Sequence, residues 1–192
     1  MNVNANGPAL AILAAGMGCR YGGIKQIDRI GAGGEAILDY SVFDALRSGF
    51  GKIIFIIRRS IEADFRDAVL SRMKNKVPFE IVFQEQDSLI PADVAEKAAG
   101  RTKPWGTVHA LLCAADRIDR PFCVINADDF YGRDAYGVMA KYLSDSNAAE
   151  GALVPYRLAD TLSELGAVTR GVCAVEKGFL SGIEELKAIE RG

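Results

Sequence analysis

The chain of 192 residues carries a net charge of −2 and an isoelectric point near 5.5, with 49% hydrophobic and 25% charged residues. Those are the proportions of a soluble globular domain long enough to bury a sizeable core. They leave no basic face for nucleic acid or an anionic membrane, so any phosphate binding must be made locally by a loop and a few cations. No apolar run reaches the roughly 18 residues of a membrane span, and the short run from Pro8 to Ala15 lacks the preceding cations of a signal peptide. A cytoplasmic protein is expected, and a homo-oligomer is compatible with the sequence.

In chain order, residues 9–15 (ALAILAA) read as a buried strand. Residues 16–35 form a long loop with seven glycines, and loops of that length in compact domains are usually functional. Ile37, Tyr40, Phe43 and Leu46 recur at helical spacing until Gly49 and Gly51 stop the helix. Residues 52–58 (KIIFIIR) give a second strand, Ile61–Met73 an amphipathic helix, and residues 79–84 (FEIVFQ) a third strand.

Residues 85–104, with prolines at 91 and 104, read as irregular. A helix is expected from Thr107 to Asp116, and a fourth strand over 121–129 (PFCVINADD) that runs directly into paired acids. A helix over Asp134–Leu143 and a strand over 152–158 (ALVPYRL) follow. Residues 166–186 read as two short strands around a Lys177-Gly178 turn. This alternation predicts an α/β fold, a Rossmann-like, mostly parallel sheet with helices on both faces and a C-terminal β-hairpin. A single domain over residues 1–192 is expected.

Cys19, Cys113, Cys123 and Cys173 contain no C-x-x-C pair and have only His109 to join them, which argues against zinc and for reduced, buried thiols. His109 has apolar neighbours and no acid in register, so it reads as structural and a Ser-His-Asp triad is unsupported. Trp105 is expected to close the core.

Ligands of open α/β sheets bind at the carboxyl ends of the strands. The loop after the first strand reads L-A-A-G-M-G-C-R-Y-G-G-I-K-Q from Leu13 to Gln26. Gly16 and Gly18 allow backbone N–H groups close to phosphate oxygens, and Arg20 and Lys25 add two cations. Tyr21 occupies the third glycine position of the dinucleotide fingerprint, and Gln26 follows Lys25 where a P-loop needs a hydroxyl.

The loop resembles the opening of the sugar-phosphate nucleotidyltransferases, whose pattern is roughly L-A-A-G-x-G-[ST]-R followed by P-K. Leu13 to Arg20 match it with Cys19 in the Ser/Thr position, and Ile24 stands where the proline would be. The resemblance implies the nucleotide-diphospho-sugar transferase fold and a nucleotide site built on Ala14, Ala15, Gly16, Met17 and Gly18, with Arg20 and Lys25 catalytic. It implies that Asp128 holds Mg²⁺, from the stretch Val124–Gly132 with Ala127 in place of the family's glycine. Adjacent strand residues alternate faces, so Asp128 and Asp129 should not both face the site.

The resemblance further implies that Gln84 and the Gly106-Thr107 pair read the base, and, on a short match, that Glu184 binds sugar hydroxyls. Family members run longer and carry a second metal-binding aspartate, so the chain is expected to be truncated at its C-terminal end. The implied reaction transfers a nucleoside monophosphate from an NTP to a phosphorylated small molecule, a sugar 1-phosphate, releasing pyrophosphate. The alternative is a non-catalytic nucleotide or nucleotide-sugar binding module, separated by testing for turnover. An NADP-dependent oxidoreductase, suggested by Arg58-Arg59 after the second strand, is opposed by Tyr21. Base and acceptor are not named by the sequence.

Overall fold

The computed structural model describes residues 4–16, 30–73, 78–145 and 151–191. The chain divides into two compact units, Met1–Ala149 and Glu150–Gly192.

The first unit is built on a four-stranded parallel sheet of β1 (Ala9–Leu13), β2 (Lys52–Ile57), β3 (Phe79–Phe83) and β4 (Phe122–Asn126) in the order β3-β2-β1-β4. The two central strands are apolar without alternation because both of their faces are covered. Ala9 to Ile12 and Ile53 to Ile57 are all fully buried.

On one face Ala9, Ala11, Ile54, Ile56 and Val82 pack with Ala110 and Ala114 at α5 (Thr107–Cys113). On the other, Phe55 meets Phe65 edge-on at 5.2 Å. Phe65 ends α2 (Glu62–Phe65), which continues through a π turn into α3 (Ser71–Met73). Arg72 then pairs at 2.7 Å with Asp39 of α1 (Ile37–Arg47), and α1 packs on α6 (Arg133–Asp145), whose Tyr136 meets Phe50. Asp39 also accepts from the Ala36 N–H at 2.8 Å, so one carboxylate both caps α1 and ties it to α3.

Several expectations are corrected. Residues 85–104 contain a helix, α4 (Ala92–Lys97), started by Pro91, whose missing N–H costs nothing at a helix start. Residues 152–157 join no ladder: Pro155 has no N–H to give one, and the segment leads into a 3₁₀ turn at Leu158–Thr161. The helix after Gly106 stops at Cys113 and is followed by a 3₁₀ turn at Ala115–Arg117. Cys113, Cys123 and Cys173 are free but half-buried rather than buried, and burial pushes the Cys113 and Cys123 thiols up.

The second unit is a β-hairpin of β5 (Val168–Glu176) and β6 (Phe179–Ile189), longer than the two short strands expected. Lys177 and Gly178 turn it with φ of 52° and 86°, the positive pair that a two-residue hairpin loop requires.

The amino-terminal edge of the sheet is sealed by charge and close packing. Lys52 pairs with Glu80 at 2.9 Å and donates to the Arg117 carbonyl at 2.6 Å, while Arg120 donates to the Ala5 carbonyl at 2.7 Å. The Arg120 guanidinium bonded to Asp119 holds that carboxyl down at about 2. Gly51 lies so close to Asn4 that a Cβ there would overlap the Asn4 carbonyl oxygen. Gly51→Ala is therefore expected to cost about 1–3 kcal/mol through overpacking, a fall in Tm of several degrees by circular dichroism.

Candidate functional site

The strand order places a topological switch between β1 and β4. From β1 the chain steps outward to β2 and β3, then returns to the other side of β1. Leu13 lies opposite Asn126, so the loops after β1 and β4 leave the sheet side by side, at the carboxyl-end position where open α/β sheets hold ligands in a crevice. The rim is kept in register by one further bond beyond each strand. Ala14 donates to the Ile56 carbonyl at 2.8 Å, Gln84 to Ile57 at 2.8 Å, and Ala127 to Leu13 at 3.1 Å.

At this rim Ala14 and Ala15 are buried and Gly16 is exposed. Met17, Gly18, Arg20 and Lys25 lie outside the described residues. Beside Gly16's loop, β4 ends at Asn126, and Ala127 and Asp128 form a turn rather than continuing the strand. The alternation of strand faces thus does not separate the two acids, which are both exposed. Asp129 accepts from the Asn126 amide at 2.8 Å and from the Tyr131 hydroxyl at 3.4 Å, while Asn126 N–H donates to the same hydroxyl oxygen at 3.0 Å. Asp129 locks the turn, and Asp128 is exposed at the head of the crevice.

The third corner is Gln84 with Gly106 and Thr107. Val82 and Gln84 share a face of the sheet, the one covered by α5, so the amide is driven against that helix. Gln84 is only 4% exposed. Its Nε2 donates to the Trp105 carbonyl at 2.8 Å and lies 3.1 Å from His109 Nδ1, with the Gly106 carbonyl at 3.5 Å. His109 Nε2 lies 2.7 Å from the Ser88 carbonyl. A carbonyl only accepts, so Nε2 carries the proton and Nδ1 accepts from Gln84. Both amide N–H groups of Gln84 are then spent inside the protein, and its remaining offer to a ligand is a carbonyl acceptor.

The segment between Gln84 and Gly106 is pinned at its base. Trp105 Nε1 donates to the Gln86 carbonyl at 2.9 Å, Gln86 donates to the Lys103 carbonyl at 3.3 Å, and Arg101 stacks on the Trp105 ring at 4.4 Å. Trp105 is half-buried and closes this loop rather than the core. Glu184 lies on β6 in the second unit, exposed and opposite Val172.

These features meet the pattern of a known family. The model of the nucleotidyl transferase family matches residues 12–185, across both units. The chain belongs to the nucleotidyl transferase family. Among solved structures, a UDP-glucose pyrophosphorylase complexed with UDP-glucose aligns with a TM-score of 0.53 and 20% identity, covering 95% of this chain and 69% of that one. That is a likeness of fold. A Mycobacterium tuberculosis protein aligns with a TM-score of 0.45 and 17% identity, over 73% of this chain and 60% of that one. No curated protein matches the chain in sequence.

Within this nucleotidyl transferase, sequence reasoning passed over His109 as merely structural, yet it contacts Gln84 directly. The signal was present: a glutamine two residues past an inward-facing valine needs a buried partner, and His109 is the buried polar side chain in the first turn of α5. Arg58, at the carboxyl end of β2, likewise places a cation at the rim, and its buried Nε has no partner among the described residues.

Gly106 precedes α5 with φ −66°, and a Cβ there would meet nothing within 4 Å among the described residues. The fold itself has no use for a glycine at this place. Gly106→Ala should cost no more than about 1 kcal/mol, the difference between a glycine and an alanine cap. If a base is to approach this backbone closely, the same variant should weaken NTP binding by roughly tenfold, about one ordinary hydrogen bond, measured by calorimetry.

Proposed function

We propose that this chain transfers a nucleoside monophosphate from an NTP to a sugar 1-phosphate, releasing pyrophosphate, as a single functional domain in the cytoplasm. What carries the reading is the convergence of the glycine loop after β1 and the acid after β4 at one switch point, in a chain of the nucleotidyl transferase family.

The acceptor's phosphate oxygen attacks the α-phosphorus of the NTP, and the bond between that phosphorus and the oxygen bridging to the β-phosphate breaks. The nucleophile is already ionised at neutral pH, so no general base is required. Catalysis is then alignment and neutralisation of charge. In this reading Ala14 to Gly18 present backbone N–H groups to the phosphates. Arg20 holds the β- and γ-phosphates, and Lys25 the α-phosphate and the charge that develops there. Gln84, Gly106 and Thr107 face the base, and Glu184 contacts the sugar hydroxyls.

The donor set suits Mg²⁺. Among the described residues no cluster of three or more His, Cys, Asp or Glu side chains could hold a metal alone. Asp128 offers one exposed hard oxygen ligand at the crevice, and Mg²⁺ is commonly held by one or two carboxylates together with substrate phosphates. Asp128 would hold the ion, which would supply positive charge to offset that of the triphosphate.

The reading is tested by mass spectrometry of the product formed from a panel of NTPs and sugar phosphates with Mg²⁺. A nucleoside diphosphate sugar is expected, with stoichiometric pyrophosphate; NTP binding without either would refute transfer. Lys25→Ala should lower turnover by roughly 10²-fold or more, as for loss of one preorganised donor, with Tm unchanged. Unchanged turnover with a reduced Tm would remove Lys25 from the chemistry.

The two acids should separate by experiment. Asp128→Asn is expected to weaken Mn²⁺ binding with NTP present, read by water-proton relaxation, and to spare Tm. Asp129→Asn should do the reverse, because Asp129 ties Asn126 to Tyr131. Equal loss of Mn²⁺ binding in both variants would overturn the assignment.

A further inference from the structure

We propose that His109 is a positioning residue for base selection that acts through Gln84, an inference resting on the reading that Gln84 faces the base. The amide of Gln84 has two N–H groups and one carbonyl. The Trp105 carbonyl takes one N–H at 2.8 Å, which also fixes which end of the amide is nitrogen. The other N–H has His109 Nδ1 at 3.1 Å as its nearer acceptor, with the Gly106 carbonyl at 3.5 Å, and the shorter bond needs Nδ1 unprotonated.

That state of the ring is itself imposed. His109 Nε2 faces the Ser88 carbonyl at 2.7 Å and must donate to it, which leaves Nδ1 as an acceptor. The Cys113 sulfur, one turn along α5, lies 3.8 Å from Nε2 and 4.0 Å from Nδ1 and fills the space behind the ring. The relay from the Ser88 carbonyl through the imidazole to the Gln84 amide therefore leaves Gln84 only its carbonyl oxygen, an acceptor, to offer a ligand. Such a site favours a base that presents an N–H donor and disfavours one that presents a lone pair at the same place. Without the imidazole one amide N–H loses its partner, and it becomes available to the wrong kind of base.

The experiment measures dissociation constants of ATP, CTP, GTP and UTP with Mg²⁺ by calorimetry on the full chain. His109→Phe should narrow the ratio between the best and second-best NTP by roughly tenfold, the scale of one hydrogen bond. His109→Asn, whose Oδ1 can stand where Nδ1 stood, should keep the ratio. In a Gln84→Ala background, His109→Phe should narrow the ratio no further, because a residue acting only through another is not additive with it.

Uniform weakening of all four NTPs with the ratio intact would show a merely structural histidine and overturn the inference. Further narrowing in the double variant would overturn it too. If the bulkier ring does not fold, His109→Leu gives the same reading, since leucine also lacks the acceptor. An unchanged ratio in Gln84→Ala alone would instead sink the assignment of Gln84 to the base, and the inference with it.

Discussion

In a parallel sheet every connection must return the chain to the same end before the next strand begins, and β1 is the strand around which this one changes direction. Its neighbours are β2 on one side and β4 on the other. The backbone just past Leu13 and Asn126 is thereby left side by side at the carboxyl end of the sheet, where ligands of open α/β sheets bind. The polarity of the sheet adds to this. The amino-terminal edge is closed by the Lys52–Glu80 pair, by Arg120 on the Ala5 carbonyl, and by Gly51 against Asn4. A ligand has one edge available in this sheet, and the loops carrying glycines and acid are on it.

The core around that edge is apolar with few exceptions. Ser41, Gln84 and His109 are the buried polar residues among the described ones. Gln84 and His109 bond to each other, and their remaining contacts are carbonyls of the segment that returns from β3 to α5. Burying an amide unsatisfied would cost on the order of 1–3 kcal/mol, so this pair must be satisfied for the sheet to pack at all. The same bonds that permit burial at the end of β3 set what the amide can offer outward. Burial and the orientation of the amide are joined in one group of atoms there.

The strands were legible because burial on both faces writes itself as an unbroken apolar run, as in KIIFII of β2. The hairpin was legible from Lys177-Gly178, where backbone geometry restricts the residues allowed. What failed had a physical cause in each case. The segment 152–157 is apolar enough for a strand, but a strand exists only with a partner, and composition cannot show the partner. Helix α4 is six residues after Pro91, too short to display a periodicity. The end of β4 was misjudged because the Asn126–Asp129–Tyr131 bonds that turn the chain are made by side chains several residues apart. Of the candidate site, Gln84 and Gly106 could be named from the sequence and are brought together, whereas the contact between Gln84 and His109 required knowing which face of β3 meets α5.

Three glycines show how a fold distinguishes its own needs from those of a ligand. Gly51 is required because the Asn4 backbone fills the place of a side chain, and Gly178 because its φ of 86° closes the hairpin. At Gly106 neither reason holds: φ is −66° and the space beside it is open among the described residues. Alanine would fit there at the cost only of a weaker N-cap for α5. The open space lies next to the one side chain, Gln84, whose donors are already consumed. A flat group entering that corner would meet a carbonyl acceptor from Gln84 on one side and bare backbone on the other.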